Sequence, residues 1–141
     1  MERNSLLFRA VNRKVDKIEY MDDCKPALYG AIVLYFPQTV TKELLQAELS
    51  EYSDIRIYEE YIEVTYKEIR NLYAWDIDEM LTMLFAKCNF EEMIDLLKKH
   101  QGKVLIDISF HHKEKYPSLV FHGENMDIIH TLCADISIDP Y

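Results

Sequence analysis

Histidines and nearby carboxylates are the residues of this 141-residue chain whose chemistry could form a catalytic or metal site. Side chains on a β-strand point alternately to its two faces, so one polar face is predicted for a strand over residues 103–112. A paired strand predicted over 118–122 and a last strand over 135–139 would extend that face. The predicted set is Asp107, Ser109, His111, His122, Asp135, Ser137 and Asp139. Such a cluster could bind a divalent metal or supply a general base, as in a small metal-dependent hydrolase.

The same pattern also describes an ordinary sheet face whose polar residues contact water. No pair among the five histidines has His-x-x-x-His spacing, which favours the solvated face over a metal site. Ser109 and Ser137 lack the Gly-x-Ser-x-Gly turn of a nucleophile, and acidic neighbours would raise the pKa of the Cys24 thiol. With only three glycines and no Gly-x-Gly, a glycine-rich phosphate loop is excluded. We therefore expect a non-enzymatic protein without a cofactor or metal.

A second set of residues combines tyrosine with carboxylates. The chain has ten tyrosines, and several of them follow or precede glutamates between residues 48 and 66. Tyrosine is enriched in the buried centres of protein interfaces, and surrounding carboxylates would steer a basic partner. The alternative is that these are half-buried strand tyrosines with wet hydroxyl groups. The predicted partner-binding residues are Glu48, Glu51, Tyr52, Asp54, Tyr58, Glu59, Glu60, Tyr61 and Glu63.

The overall charge of the chain also bears on the kind of partner. The formal net charge is −9, which disfavours nucleic acid and anionic membranes as partners. It favours a basic protein partner, or it serves only to keep the protein in solution. Three widely spaced cysteines form neither a disulfide framework nor a zinc pattern, and no signal peptide or long apolar run is seen. We expect a single domain over residues 1–141, located in the cytoplasm as a monomer or weak homodimer.

The first two thirds of the chain alternate between strand and helix patterns. Leu6–Phe8 could open a first strand, and the β-branched and aromatic run 27–36 predicts a buried one. A helix capped by Thr39 or Thr41 follows, and then strands over 55–57 and 61–69. Asp76 and Asn89 are predicted N-caps of two helices, or of one helix broken near Cys88, and Gly102 is predicted to end the second.

The last third predicts strand, turn, strand, helix and strand. Residues 103–112 and 118–122 are predicted to form a hairpin through the turn 113–117. Met126, Ile129 and Leu132 form the predicted buried stripe of the helix. The predicted fold is α+β: a two-layer sandwich of a mainly antiparallel sheet with helices on one face. A faint echo between Pro26–Tyr58 and Pro117–Asp139 suggests two β-α-β halves, as in ferredoxin-like or related folds.

Three parts of the chain are similar to a known family. They are Trp75, Pro117-Ser-Leu119 and the ending Ala134-Asp-Ile-Ser-Ile-Asp-Pro-Tyr141. They resemble a family of small uncharacterised bacterial domains, a domain of unknown function that ends in an Asp-Ile-x-Ile-Asp-x-Tyr strand. The resemblance implies a bacterial or phage origin and a compact α+β domain, and it implies no catalytic residues.

These observations lead to one functional hypothesis and two alternatives. The leading hypothesis is an acidic binding protein of the immunity or inhibitor type, which occludes a basic protein such as a toxin or nuclease. The alternatives are the metal-dependent hydrolase and an accessory subunit that adds an edge strand to a partner sheet.

Overall fold

The computed structural model describes residues 25–49, 54–111 and 116–140. The described strands are β1 (Ala27–Pro37), β2 (Asp54–Ile57), β3 (Tyr61–Tyr73), β4 (Lys103–His111) and β5 (Asp135–Pro140). The described helices are α1 (Lys42–Glu48), α2 (Ile77–Ala86), α3 (Phe90–His100) and α4 (Gly123–Thr131). The strand predicted to open at Leu6–Phe8 lies outside the described ranges, as do the residues Cys24, Glu51 and Tyr52.

The strands form one sheet in the order β2-β3-β1-β4-β5. Every neighbouring pair is antiparallel except β4 and β5, which are parallel. The predicted α+β fold with a mainly antiparallel sheet is therefore confirmed. Two β-α-β units are present, because α1 connects β1 to β2 and α4 connects β4 to β5. In the first unit β3 lies between the two strands, whereas the strands of the second unit are direct neighbours.

The main core lies between the centre of the sheet and helices α2 and α3. Alternate residues of β1, including Leu28, Ile32, Leu34 and Phe36, are almost completely buried. Contacts from α2 reach both β1 and β3, and α3 contacts β1. A β-carbon at Gly30 would lie 2.7 Å from the Cε atom of Met80, so the missing side chain lets α2 approach the strand closely.

Side-chain caps define where three helices begin. Thr41 accepts a hydrogen bond from the backbone N–H of Leu44 at the start of α1. Asp76 caps α2, and Asn89 accepts from the N–H of Glu92 to cap α3. A capping oxygen satisfies an N–H group that the helix itself cannot pair. The three predicted caps are confirmed, and the break near Cys88 separates two helices.

The end of α3 differs from the expected glycine stop. Gln101, and not Gly102, adopts the left-handed conformation, with φ of 57°. Gly102 donates its N–H to the carbonyl of Leu97, and a β-carbon there would lie 2.5 Å from the Cε1 atom of Phe36. Glycine is needed at position 102 because the aromatic ring leaves no room, and not because of the backbone dihedral angles.

The predicted strand over 118–122 is wrong. This segment makes a single bridge, between Ser118 and Asp76, and is otherwise irregular. Ser118 accepts a hydrogen bond from the N–H of Ile77, the first residue of α2, and donates its own N–H to Trp75. Leu119 and Val120 are 50% and 62% exposed, so their apolar character does not mark a buried strand. The segment therefore supplies a hydrogen-bond acceptor for a backbone N–H at the start of α2, and it does not extend the sheet.

Helix α4 is held to α2 by polar contacts in addition to its apolar stripe. Ile129 and Leu132 are buried as predicted, but Met126 is 46% exposed and the prediction of its burial is wrong. Asn125 is buried instead, and its amide donates to the Oδ1 atom of Asp78 at 2.9 Å. The strand β5 that follows α4 is confirmed. None of the helices in the described ranges is long and apolar enough to cross a membrane.

Candidate functional site

Three tyrosine rings lie together near the β2–β3 turn. Tyr58 and Tyr61 stack with their ring centroids 4.8 Å apart, and the backbone N–H of Tyr58 donates to the carbonyl of Tyr61. The ring of Tyr61 meets that of Tyr35 edge-on at 5.4 Å. Tyr35 belongs to the central strand β1, which pairs with β3 at this position. We call the surface formed by Tyr35, Tyr58, Glu59, Glu60, Tyr61 and Glu63 the tyrosine surface.

The outer two rings of the tyrosine surface remain accessible. Tyr58 is 39% exposed and Tyr61 is 38% exposed, whereas Tyr35 beneath them is half-buried. Each outer ring is already fixed by its aromatic neighbour, so little conformational entropy remains to be lost when a partner covers it. The arrangement presents a preformed aromatic face, as is typical of residues that dominate binding energy.

Carboxylates border this aromatic face. Glu59 and Glu60 occupy the turn, are exposed, and make no ion pair with any residue in the described part of the chain. Glu63 lies directly across from Tyr35 in the β1–β3 register. The nearby cation Arg56 is already engaged, because its Nε atom lies 3.3 Å from the Asp54 carboxylate. Hydrogen bonding to Tyr58, together with Asp54, raises the pKa of the Arg56 guanidinium.

Burial raises the pKa of Tyr35 to about 12, and the neighbouring Glu63 carboxylate adds to this effect. Both causes favour the neutral phenol, whose proton is shared with Glu63. The tyrosine surface is therefore negative through its glutamates, while the Tyr35 hydroxyl beneath it stays protonated at neutral pH.

The other predicted binding residues have different surroundings. Glu48 ends α1, where its carboxylate pairs with Lys99 and His100 of α3, and these hydrogen bonds lower the pKa of Glu48. Its charge is thus used to join two helices. Asp54 is exposed at the start of β2 and pairs with Arg56. Glu51 and Tyr52 lie outside the described residues, so their part in binding stays a prediction.

The predicted histidine and aspartate face is only partly assembled. The outward-facing positions of β4 include Asp107, Ser109 and His111. Ser137 and Asp139 of β5 lie next to Asp107 and Ser109 and continue this face. Burial, with a smaller contribution from Asp139, raises the pKa of Asp107.

His122 is not part of this face, so its predicted place beside His111 is wrong. It is the N-cap residue of α4, and its backbone N–H donates to the Asp78 carboxylate. Among the described residues, no group of three or more histidine, cysteine, aspartate or glutamate side chains is arranged to hold a metal ion.

Sequence reasoning missed two polar groups. Arg70 donates to Glu68 at 2.7 Å and lies over the ring of Tyr29 on the outward face of the sheet. The i, i+2 spacing of Glu68 and Arg70 on a strand was a usable signal, because such residues share a face. The pairing of Asp78 with Asn125 spans 47 residues, and no local pattern indicates it.

Comparison of the chain with family models, curated proteins and solved structures finds no match. The resemblance to a bacterial domain of unknown function therefore stays a prediction.

Proposed function

We propose that this protein is an acidic, non-enzymatic binding protein that occludes a basic protein partner through the tyrosine surface. The observation that carries the proposal is the stacked and accessible pair Tyr58 and Tyr61, bordered by the exposed carboxylates Glu59 and Glu60, which form no ion pair with a described residue. The rings supply apolar contact area at low entropic cost. The carboxylates supply attraction for a positively charged surface and speed its association.

The mode of action that fits this surface best is that of an immunity or inhibitor protein. A toxin or nuclease that acts on a polyanion needs a basic binding surface, and an acidic protein can occupy it in place of the substrate. A net charge of −9 on 141 residues supports the same type of partner. We place this activity in the cytoplasm of a bacterial cell as part of the same proposal.

A second candidate is an accessory subunit that binds by strand addition. It is favoured by the position of β2 at one edge of the sheet formed by the described strands. Ile57 at its end is 62% exposed, and an added strand would cover it. In that case backbone hydrogen bonds would carry the affinity, and substitutions of Glu59 and Glu60 would have little effect.

Affinity capture with charge-reversed variants tests the proposal. The immobilised wild-type protein should retain a basic protein from a host lysate at low salt, and Glu59→Lys/Glu60→Lys should lose most of it. The matched control Glu91→Lys/Asp127→Lys makes the same charge change at two exposed helix positions. Capture by the control but not by the turn variant supports the proposal. Equal capture by all three proteins, or recovery of no basic protein, contradicts it.

A further inference from the structure

A recess opens at the end of the sheet opposite to the tyrosine surface. It has a volume of about 460 Å³ and is lined by residues of the three central strands, β1, β3 and β4. Tyr29 in its lining and Tyr35 in the tyrosine surface are six residues apart on β1, which corresponds to about 20 Å along a strand. A volume in this range is typical of small-molecule sites. The recess is therefore a separate candidate site.

The recess contains a buried hydroxyl group that has no hydrogen-bond partner among the described residues. Ser109 lines it and is only 6% exposed. Its side chain makes no hydrogen bond with any residue in the described ranges. Most buried polar side-chain atoms in proteins are hydrogen-bonded, and leaving one unpaired carries a substantial cost in free energy. The Ser109 hydroxyl is thus available to a bound molecule.

A fixed guanidinium group forms another part of the lining. The Nε atom of Arg70 donates to Glu68 at 2.7 Å, and the guanidinium lies over the ring of Tyr29 at 5.6 Å. Nη2 makes only a long contact of 3.5 Å with the same carboxylate. The orientation of Arg70 is therefore set by its neighbours, while N–H groups remain on the side away from Glu68. The imidazole of His111 lies in the same lining and is exposed.

We propose that this recess binds a small organic carboxylate. A guanidinium group pairs with the planar carboxylate through two parallel hydrogen bonds, and the Ser109 hydroxyl can donate to one of its oxygens. Tyr29 pairs with Ser109 in the β1–β4 register and also lines the recess, so its ring lies on the same face as the Ser109 hydroxyl and suits the apolar body of such a ligand. Glu68 beside Arg70 disfavours a doubly charged phosphate and leaves a single negative charge as the better match.

A titration followed by ¹H–¹⁵N NMR tests this site with benzoate as the probe. We expect saturable shifts for the backbone amides of Ser109 and Phe110 and for the side-chain Nε–H of Arg70. The variant Arg70→Met should bind benzoate at least roughly tenfold more weakly, and Ser109→Ala roughly threefold. Arg56→Met is the matched control, because Arg56 also pairs with a carboxylate two residues away but lies at the tyrosine surface. It should leave the affinity unchanged.

Three outcomes overturn the proposal. They are a titration that does not saturate, equal binding of benzoate by Arg70→Met and wild type, and tighter binding of inorganic phosphate than of benzoate. If Arg70→Met shows the collapsed spectrum of an unfolded chain, the benzoate affinity of Ser109→Ala is compared with that of wild type instead. Capture of a basic protein by the tyrosine surface does not depend on any of these results, so the two proposals can fail separately.

Discussion

At the scale of single residues, Tyr35 shows how burial and a neighbouring charge act on one group. Its pKa is raised from 10.0 to about 12, because both desolvation and Glu63 disfavour the phenolate. The folded state therefore holds this proton more tightly than the unfolded chain does. The resulting stabilisation is complete below pH 10 and is lost as the pH rises from 10 to 12.

Tyr35→Phe should remove that pH-dependent contribution. Near pH 8 we expect the variant to be less stable than wild type by about 1 kcal/mol, since a hydrogen bond to a carboxylate is lost. The difference should shrink as the pH approaches 12. Urea denaturation across this range measures it, with Tyr73→Phe, a change at an exposed ring, as the control. A difference that stays constant from pH 8 to pH 12 would show that Tyr35 has no raised pKa.

At the scale of elements, the junction between α2 and α4 depends on one buried carboxylate. Asp78 is 6% exposed and accepts hydrogen bonds from the Asn125 amide and from the backbone N–H of His122, both at 2.9 Å. The helix N-terminus at which Asp78 lies also favours a negative charge. This group therefore fixes where α4 begins relative to α2.

Asp78→Ala should destabilise the fold by about 1–3 kcal/mol, because the backbone N–H of His122 loses its acceptor and the buried Asn125 amide keeps only the Asp78 carbonyl and the Thr82 hydroxyl. Asp78→Asn keeps one oxygen acceptor and should cost less. Asp127→Ala, an exposed position on α4, should stay within about 0.5 kcal/mol of wild type. Free energies of unfolding from chemical denaturation give the order. The role assigned to Asp78 is incorrect if its alanine variant is as stable as the Asp127 variant.

The three glycines provide a graded test of packing between elements. Gly102→Ala should be destabilising by about 1–3 kcal/mol, since its new methyl group meets the rigid ring of Phe36. Gly30→Ala should cost less, because it meets the flexible end of Met80. Gly123→Ala finds no atom within 4 Å and begins a helix, so we expect a gain of about 0.5 kcal/mol. Thermal unfolding measures this order, and a Gly102 variant more stable than the Gly123 variant would refute it.

Elements with a strong local pattern could be predicted from the sequence, and those defined by distant contacts could not. The alternation in β3 and the caps Asp76 and Asn89 are local signals, and the structure bears them out. Segment 118–122 has the apolar composition of a strand, but its hydrogen bonds go to the start of α2, about 40 residues earlier. Periodicity carries no information about such a partner. The same limit explains why Asn125 was missed and Met126 was expected in the core.

The candidate site was predictable in composition but not in arrangement. The segment from Tyr58 to Glu63 combines rings and carboxylates in the sequence, and this composition predicts binding residues at the β2–β3 turn. The contribution of Tyr35, more than 20 residues earlier, follows only from the pairing of β1 with β3. The sequence also could not show that Glu48 is paired with α3, whereas Glu59 and Glu60 are not paired with described residues.

At the scale of the whole molecule, the sheet separates two surfaces. The tyrosine surface lies at one end of β1, and the recess with Arg70 and Ser109 lies at the other end. We propose that the acidic tyrosine surface meets a basic protein and that the recess, with a volume of about 460 Å³, holds a small carboxylate. Helices α2 and α3 cover the other face of the sheet, so both surfaces rest on a rigid, packed support.

The most direct test of the central claim is the affinity of the captured basic partner for Tyr58→Ala/Tyr61→Ala, measured by titration calorimetry beside wild type. Loss of two central rings should weaken binding by at least about 2 kcal/mol, or roughly 30-fold. Tyr73→Ala, which removes an exposed ring outside the tyrosine surface, is the control and should leave the affinity unchanged. If the double variant binds its partner as tightly as wild type, the tyrosine surface is not the binding site and the proposed function is contradicted.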